Sequence, residues 1–299
     1  MSDSLQSISE EQPAGSCSDQ RAIVQTLWYF KYFDHALSVE ELQSYLPVHQ
    51  SVDQVKRACK EGVAQGVLLF EDGFYALDPR SLQRRISLIE HNRRWMRIGQ
   101  RMGRFIGRFP FVRSVMISGA LSKMGLNGAD DDIDFFLIAA PGRVWTAKFF
   151  LMLFKKLFLL NSKRYFCINL LRDQDHLGFS AQDRYTATEL ISLQPVVGVA
   201  WHVELMRQNA WVATLFPNAA LPEEQDSELP FEYHWTEHLV DRFLGDGFER
   251  WCRVRFARHV ARQRERPNAH FETDAHASAY FPNSFKERIL THFHSRNFS

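Results

Sequence analysis

The sequence predicts an α+β fold in which a small mixed sheet lies between a helical N-terminal domain and a helical C-terminal region. Apolar runs typical of buried strands flank a glycine turn and an acidic turn between residues 111 and 138. On both sides of this segment, apolar residues recur mostly at helical spacing. The predicted divisions are a disordered tail at residues 1–19 and an N-terminal domain at 20–79. They are followed by a core led by a long helix at 80–185 and a helical C-terminal region at 186–299.

Composition excludes several broad classes of protein. The chain has 299 residues, 45% of them hydrophobic, which is enough for a sizeable core. Its formal net charge of +1 is not the excess of a general nucleic-acid or membrane binder. Four widely spaced cysteines without a CxxC pair indicate a reduced, cytoplasmic protein. The apolar stretch at residues 149–160 contains two lysines and is too short to span a membrane, so we expect a buried helix there and no membrane partner.

The N-terminal domain, residues 20–79, is predicted to contain three helices and a hairpin. Serines followed three residues later by Glu or Gln have the spacing of a capping box, and they mark two helix starts: Ser38 with Glu41 and Ser51 with Gln54. Alternating apolar residues around an Asp-Gly pair at positions 72 and 73 predict the hairpin. This order is typical of a winged-helix-like domain, a fold used for DNA binding, protein docking or structure. The region of its second and third helices carries fewer cations than acids, so we do not expect DNA binding.

Residues 80–109 predict one long helix that carries three stripes. Apolar residues at heptad-like spacing form the first stripe, which should face the core. The second is a stripe of arginines, at Arg94, Arg97, Arg101, Arg104 and Arg108. It fits a solvated face, which we prefer, or a contact with phosphate or an acidic partner. The third consists of glycines at every fourth position, Gly99, Gly103 and Gly107. Each costs about 1 kcal/mol relative to alanine, so the stripe predicts a close backbone approach by another element.

The core is predicted to follow a strand, helix, strand order. FVRSVMISGAL is a strand that enters a glycine turn, and IDFFLIAAP is a second strand after a polar loop. A helix at 142–160 and a third strand at 164–171 complete a small α/β sheet. Beyond it the chain is predicted to be mostly helical, beginning at a capping box formed by Thr186 and Glu189.

Four aspartates lie within five positions of the polar loop, at Asp130, Asp131, Asp132 and Asp134. Side chains at i and i+2 of a strand share a face, so Asp132 and Asp134 should project together. Mg²⁺ is commonly bound by one or two carboxylates together with phosphate oxygens of the substrate. Gly119, at the end of the preceding strand, would let backbone amides approach a phosphate closely. The pattern therefore indicates a phosphoryl- or nucleotidyl-transfer site, and the alternative is an acidic surface turn.

The chain resembles the DNA polymerase β-like nucleotidyltransferase superfamily. The motif of that superfamily is an apolar strand ending in Gly-Gly or Gly-Ser, followed about a dozen residues later by Asp-x-Asp in another apolar strand. Here VMISGAL is followed by DDDIDFFLI. Further stretches are similar to a bacterial group of nucleotidyltransferase-domain proteins with a winged-helix-like N-terminus: CINLLRDQDHLGF, DRYTATELISLQPVVG and NAWVATLFPNA. The similarity covers roughly residues 20–296.

The resemblance implies a reaction and a set of site residues. The reaction is transfer of a nucleoside monophosphate from an NTP to an acceptor hydroxyl, which the sequence does not identify, with Mg²⁺ (or Mn²⁺) as cofactor. By position, Asp132 and Asp134 would bind the metal ions. Gly119, flanked by Ser118 and Ala120, would contact the triphosphate.

Two positions depart from the superfamily pattern. Ala120 stands where a serine hydroxyl usually contacts phosphate, and Ser122 nearby is out of register. The third carboxylate of the superfamily, on a following strand, is replaced by Asn169, and an amide cannot act as a general base. Asp173 or Asp175, just past that strand, could serve as the third acid, or both are ordinary loop acids. A non-catalytic descendant that binds nucleotide or a protein partner is therefore the second hypothesis.

Histidine spacing gives no further motif. Four histidines invite a metal interpretation, namely His202, His234, His238 and His259. Only one pair among them has the i, i+4 spacing of two ligands on a helix, and no third ligand lies near that pair in the sequence. We expect these histidines to be partly buried or surface residues. The sequence does not predict an oligomeric state.

Overall fold

The structure is a computed structural model of a mixed α/β protein. It describes residues 15–128, 131–160, 162, 164–219, 235–261, 270–281 and 286–296. The predicted acidic, proline-containing insert at 221–230 lies outside the described residues, as does most of the predicted disordered tail. Residues 15–19 of that tail belong to the first helix, so the predicted boundary is too late.

The N-terminal elements have the predicted order of three helices and a hairpin. They are α1 (Gly15–Lys31), α2 (Val39–Ser44), α3 (Val52–Ala64), β1 (Leu69–Glu71) and β2 (Phe74–Ala76). Both predicted capping boxes form, because Ser38 and Ser51 each accept a backbone N–H three residues on while that residue's side chain accepts the serine N–H. An isolated bridge from Leu37 to Tyr75 ties the loop before α2 to the hairpin.

The predicted single helix at 80–109 is instead two helices, α4 (Pro79–Ser87) and α5 (Ile89–Ile106). Asp78 caps α4 by accepting the N–H of Ser81. At Leu88 the backbone leaves the helical region, with φ −105° and ψ 5°, and this residue separates the two helices. The prediction of one continuous helix is therefore wrong. The apolar stripe with heptad-like spacing begins at Trp95, after the break, so it gave no signal of where the first helix ends.

The central sheet is mixed, as predicted, and larger than predicted. Its strands are β3 (Val112–Ser118), β4 (Asp134–Ala139), β5 (Cys167–Asp173), β6 (Gln194–Val197), β7 (His270–Thr273) and β8 (Ala277–Phe281). They lie in the order β6-β3-β4-β5-β8-β7, and β4 with β5 is the parallel pair. Three of these strands come from the region predicted to be helical, so that prediction is wrong there. Short strands separated by long sequence intervals leave a weak local signal.

Further helices pack on the sheet or on the helices next to it. They are α6 (Gly119–Ser122), α7 (Val144–Phe158), α8 (Arg184–Ile191), α9 (Val199–Gln208), α10 (Val212–Leu215), α11 (Trp235–Phe243), α12 (Gly245–Ala261) and α13 (Lys286–His294). The apolar stretch at 149–160 falls mainly on α7, but the expectation of a buried helix there is wrong. Within the stretch only Leu151 and Lys155 are buried, and its last residues, Leu157, Phe158 and Leu160, are exposed. Among the described residues, no helix has the length and apolar character needed to cross a membrane.

Alternate side chains of the strands enter two different apolar layers. Val115 and Ile117 of β3 pack with Phe135 of β4 in a cluster that includes residues of α5 and α7. Met116 and Phe136, on the opposite face, belong to a cluster with α8, α9 and the N-terminal helices. The N-terminal helices therefore share a hydrophobic core with one face of the sheet.

The glycine stripe of α5 lies directly on the sheet, as its spacing predicts. A Cβ atom on Gly99 would come within 2.9 Å of Ile117 on β3, and one on Gly103 would come within 2.9 Å of Val196 on β6. Larger residues would push α5 away from both strands. The arginines of the neighbouring stripe are exposed, in agreement with the preferred interpretation of a solvated face.

Candidate metal and phosphate site

The candidate site forms where β3 ends and β4 begins. The antiparallel register places Ser118 opposite Asp134. The chain turns at Gly119, whose φ of +68° favours glycine. A Cβ atom at this position would lie 2.5 Å from Oδ2 of Asp134. The turn and the carboxylate are thus so close that only glycine fits at position 119 without displacing Asp134.

Asp132 and Asp134 project to the same side, as predicted. One ligand atom from each lies within 4.8 Å of the other and of the Cys167 sulfur. Both aspartates are half-buried rather than fully exposed. Burial, together with repulsion from Asp132, raises the pKa of Asp134 to about 7, against hydrogen bonds from Cys167 and Asn169 that lower it. The raised pKa indicates a place where negative charge is poorly compensated by the chain itself.

Asn169 lies beside this pair because of a bulge in β5. Phe135 pairs with Ile168 and Phe136 pairs with Leu170, which leaves Asn169 as the extra residue of the parallel ladder. Its side-chain oxygen accepts the Cys167 thiol at 3.3 Å, and its side chain hydrogen-bonds Asp134. The amide therefore occupies the place on the third strand where the sequence pattern anticipates a third acid.

Asp173 and Asp175 do not reach this site. The parallel register aligns Cys167 with Asp134, whereas Asp173 aligns with Ala139 at the other end of β4. Six residues of strand separate the two ends, about 20 Å at the rise of a β-strand. Asp175 lies beyond Asp173 and donates its backbone N–H to that carboxylate. The alternative in which one of them serves as the third acid is contradicted, because β5 runs on without curling back.

The other acids of the turn have separate roles. Oδ2 of Asp131 accepts the backbone N–H groups of Asn127 and Gly128, at 2.9 Å for the latter, and so holds the polar loop in place. Asp130 lies outside the described residues. Part of the aspartate cluster is therefore structural, and the sequence alone did not distinguish Asp131 from the pair that follows it.

Two further charged residues surround the Gly119 turn, and sequence reasoning missed both as site residues. Nζ of Lys123 donates to the carbonyl of Gly119 and to Oε2 of Glu189, each at 2.9 Å. The Lys123 side chain is largely buried. The charge of Glu189 contributes to the raised pKa of Asp134. The position of Lys123 four residues after Gly119 is the one local signal that could have identified it.

Glu189 reaches the site because it does not cap α8. The predicted capping box at Thr186 is wrong, since α8 begins earlier and Asp183 caps it by accepting the Thr186 N–H at 3.0 Å. Glu189 consequently lies within α8, free to pair with Lys123. Ser122 is also engaged, because its hydroxyl donates to the Gly119 carbonyl at 2.9 Å. It cannot replace the hydroxyl that Ala120 lacks.

The side chains present fit a hard divalent cation. Two carboxylates on one side, half-buried and mutually repulsive, are the protein ligands that Mg²⁺ uses beside substrate phosphate. Burial and the two aspartates raise the pKa of Cys167 well above its usual range, which keeps the sulfur protonated and a poor ligand for Mg²⁺. The carboxylate pair is therefore the part of the cluster that would hold such an ion.

No family model, curated protein sequence or solved structure matches the chain. Membership of the nucleotidyltransferase superfamily stays a prediction from the sequence motifs. Chemically, the site combines a glycine turn, two carboxylates that could hold a cation, and one lysine beside the turn.

Proposed function

We propose that the chain is a Mg²⁺- or Mn²⁺-dependent nucleotidyltransferase that transfers NMP from an NTP to an acceptor hydroxyl. The observation that supports the proposal is the close contact between the Gly119 turn and Asp134, in which a glycine turn lies against a carboxylate pair. In the reaction, the acceptor oxygen bonds to the α-phosphorus, the bond from that phosphorus to the bridging oxygen breaks, and pyrophosphate leaves. The proton of the hydroxyl passes to a base.

Asp132 and Asp134 are the proposed metal-binding residues. When bound, the cation would neutralise the triphosphate and the charge that develops in the transition state. The pair is well suited to this role because burial and mutual repulsion raise the pKa of Asp134 when no cation is bound. A cation relieves both effects, and its binding energy would also stabilise the fold.

Ser118, Gly119 and Ala120 are the proposed phosphate contacts. Backbone N–H groups of the turn can approach a phosphate because Gly119 has no side chain and Ala120 is small and exposed. The methyl group of Ala120 offers no hydrogen bond. Lys123 compensates in part, since its ammonium group lies 2.9 Å from the Gly119 carbonyl and would be drawn to a polyphosphate.

Proton removal is the step for which this site is least equipped. Asn169 holds the position beside Asp134, and its amide cannot take the proton. The acceptor hydroxyl must then lose its proton to solvent or to the substrate. A positioned base is typically worth about 10² to 10⁴ in rate, so we expect slow turnover.

The second candidate is a non-catalytic protein of the same fold that binds nucleotide. Asn169 favours it specifically. This amide forms hydrogen bonds with the Cys167 thiol and with Asp134, and it stands where a catalytic acid would be needed. DNA is not a proposed partner. The exposed cations of α3, Lys56, Arg57 and Lys60, are few and share their helix with acids.

Binding and turnover measured on the same samples separate the two candidates. Labelled NTPs are titrated into the full chain with Mg²⁺ or Mn²⁺, and pyrophosphate release is followed with pools of acceptor molecules. A nucleotidyltransferase releases pyrophosphate in proportion to labelled acceptor. A binder retains nucleotide with no release.

The Asp132→Asn, Asp134→Asn double variant is the control for the metal. It should lose metal-dependent nucleotide binding, and with it any turnover. Asp175→Asn is the matched control, since Asp175 is an exposed acid at the far end of β5. Metal-dependent binding that survives in the double variant would place the site elsewhere and contradict the proposal.

A further inference from the structure

A second group of metal-ligating side chains lies at the opposite end of β5. Asp173 is the last residue of that strand, His176 follows three residues later, and His276 immediately precedes β8. One ligand atom from each of the three lies within 4.8 Å of the others. The group is about 20 Å from the Asp132 and Asp134 pair, by the rise of six strand residues. It is therefore independent of the site on which the proposed function rests.

We propose that Asp173, His176 and His276 bind one first-row transition-metal ion, with Zn²⁺ as the best match. Two imidazoles and a carboxylate are ligands that Zn²⁺ commonly takes. Mg²⁺ and Ca²⁺ prefer sets made of oxygen alone, so this group selects against them. Three protein ligands leave a further coordination position for water or a fourth group.

The distances suit a shared ion better than direct hydrogen bonds. Nδ1 of His176 lies 3.8 Å from Oδ1 of Asp173, and Nδ1 of His276 lies 3.6 Å from Oδ2. Both separations exceed the usual length of a hydrogen bond. Two ligands bonded to one Zn²⁺ at about 2.0 to 2.2 Å can be up to about 4.3 Å apart. An ion can therefore bridge each pair after small side-chain movements.

The carboxylate is fixed in place by the backbone around it. Asp173 is 2% exposed, and its two oxygens accept the N–H groups of Gly142 at 2.8 Å and Asp175 at 2.9 Å. Beside these backbone donors, the two imidazoles lie near the carboxylate and would form ion pairs with it only in their protonated form. A buried carboxylate held by neutral donors is a site that favours an added positive charge.

The imidazoles are held near the carboxylate but can still turn. Backbone hydrogen bonds join the Asp173 N–H to the His276 carbonyl at 2.8 Å and the His176 N–H to the Asp173 carbonyl at 3.0 Å. The two rings stack, with centroids 3.6 Å apart, and each side chain is about half exposed. Rotation of the exposed rings would bring one nitrogen of each onto the ion. The ion would then tie the β7–β8 hairpin to β5.

The test uses metal-free full-length chain and Zn²⁺, with Co²⁺ as a spectroscopic substitute. We expect one Zn²⁺ per chain in calorimetry beyond any bound at the aspartate pair, and visible Co²⁺ absorption that Zn²⁺ removes. Carbethoxylation of histidines in the unmodified chain gives a second measurement that needs no variant. Zn²⁺ should protect His176 and His276 and leave the exposed His49 reactive.

Variants locate the ion. The double variant His176→Gln, His276→Gln should bind Zn²⁺ at least about 10-fold more weakly and lose the Co²⁺ spectrum. The controls His49→Gln and Asp132→Asn with Asp134→Asn should keep both. Unchanged Zn²⁺ affinity in the histidine double variant, or no protection of His176 and His276 in the unmodified chain, would overturn the proposal. If the histidine double variant has a lower melting temperature without metal, its weaker Zn²⁺ binding could reflect lost stability. Protection of His176 and His276 in the unmodified chain then decides whether the proposal holds.

Discussion

Gly119 and Asp134 lie so close that a Cβ atom on the glycine would sit 2.5 Å from the carboxylate oxygen Oδ2. The left-handed φ of +68° at Gly119 adds a second reason for glycine at this position. One of these requirements concerns the backbone and the other concerns the carboxylate. Substitutions can test these two requirements separately, and so show whether the backbone turn at Gly119 is needed for metal binding by Asp134.

Gly119→Ala should lower stability and also abolish the response to metal. The strain of a left-handed alanine costs about 1 kcal/mol, and the added methyl group must displace Asp134. Gly66→Ala is the matched control, since Gly66 has a φ of +72° with nothing within 4 Å of an added Cβ. Urea unfolding should show a loss of stability in both variants, and the loss should be larger in Gly119→Ala because only that methyl group clashes with Asp134. Mg²⁺ should raise the melting temperature of Gly66→Ala but not of Gly119→Ala, and equal responses would contradict the predicted link.

The ionisation of Asp134 should make the metal-free chain less stable as pH rises. Its pKa of about 7 in the folded chain exceeds the ordinary 3.8, so the folded state binds the proton more tightly than the unfolded state. This stabilisation is complete below about pH 4 and is lost as pH rises through 7. Each pH unit between the two pKa values costs about 1.4 kcal/mol, so the loss between pH 5 and 7 is about 2 kcal/mol.

Comparison with Asp134→Asn isolates this effect, since the amide does not titrate. In EDTA, the free energy of unfolding of the unmodified chain should fall relative to the variant between pH 5 and pH 7. Saturating Mg²⁺ should remove the difference or reverse its sign, because the cation stabilises the ionised carboxylate. A constant difference across this pH range would show that Asp134 does not titrate as described.

The sequence predicted that Asp132 and Asp134 project together and missed much of what surrounds them, and the reason is sequence distance. Asp132, Asp134 and Gly119 come from a turn and two adjacent strands, where the two-residue period of a strand fixes which side chains share a face. The bulge that brings Asn169 to Asp134 is a one-residue change in register, which no pattern in β5 signals. Glu189 reaches the site through tertiary packing.

Sequence distance also explains why the sequence did not predict the cluster of Asp173, His176 and His276 or the full size of the sheet. Spacing drew attention to the i, i+4 pair of His234 and His238, and His234 lies outside the described residues. His176 and His276, which do meet, are separated by 100 positions. Similarly, β6 and β8 add to the sheet far from the strands they pair with. Local periodicity predicts an element, whereas pairing between distant segments depends on the whole fold.

Gly103→Ala should destabilise the chain although alanine is the better helix former. The added methyl would lie 2.9 to 3.1 Å from three side-chain atoms of Val196, an overpacking that typically costs about 1 to 3 kcal/mol. Gly247→Ala is the control, because Gly247 also lies in a helix and has open space around it. That variant should gain up to about 1 kcal/mol.

Shortening the opposing side chain should rescue the Gly103 variant. Val196→Ala alone loses packing, but Gly103→Ala combined with it should be less destabilised than the sum of the two single changes. A coupling of about 1 kcal/mol or more in a double-mutant cycle of urea unfolding is expected. Additive effects would mean that α5 and β6 adjust without contact between these two residues.

Under the proposed function, Asn169→Asp should increase the rate of pyrophosphate release. The bulge holds this side chain against Asp134 and Cys167, so an aspartate there would add the acid that the site lacks. A positioned base is typically worth about 10² to 10⁴ in rate, and we expect pyrophosphate release to increase within that range while nucleotide affinity changes little. Asp175→Asn should leave turnover unaltered, because that exposed acid lies beyond the far end of β5. The opposite outcome is metal-dependent nucleotide binding without pyrophosphate release in both the parent and Asn169→Asp. It would favour the non-catalytic candidate, because adding the missing base would not have produced turnover.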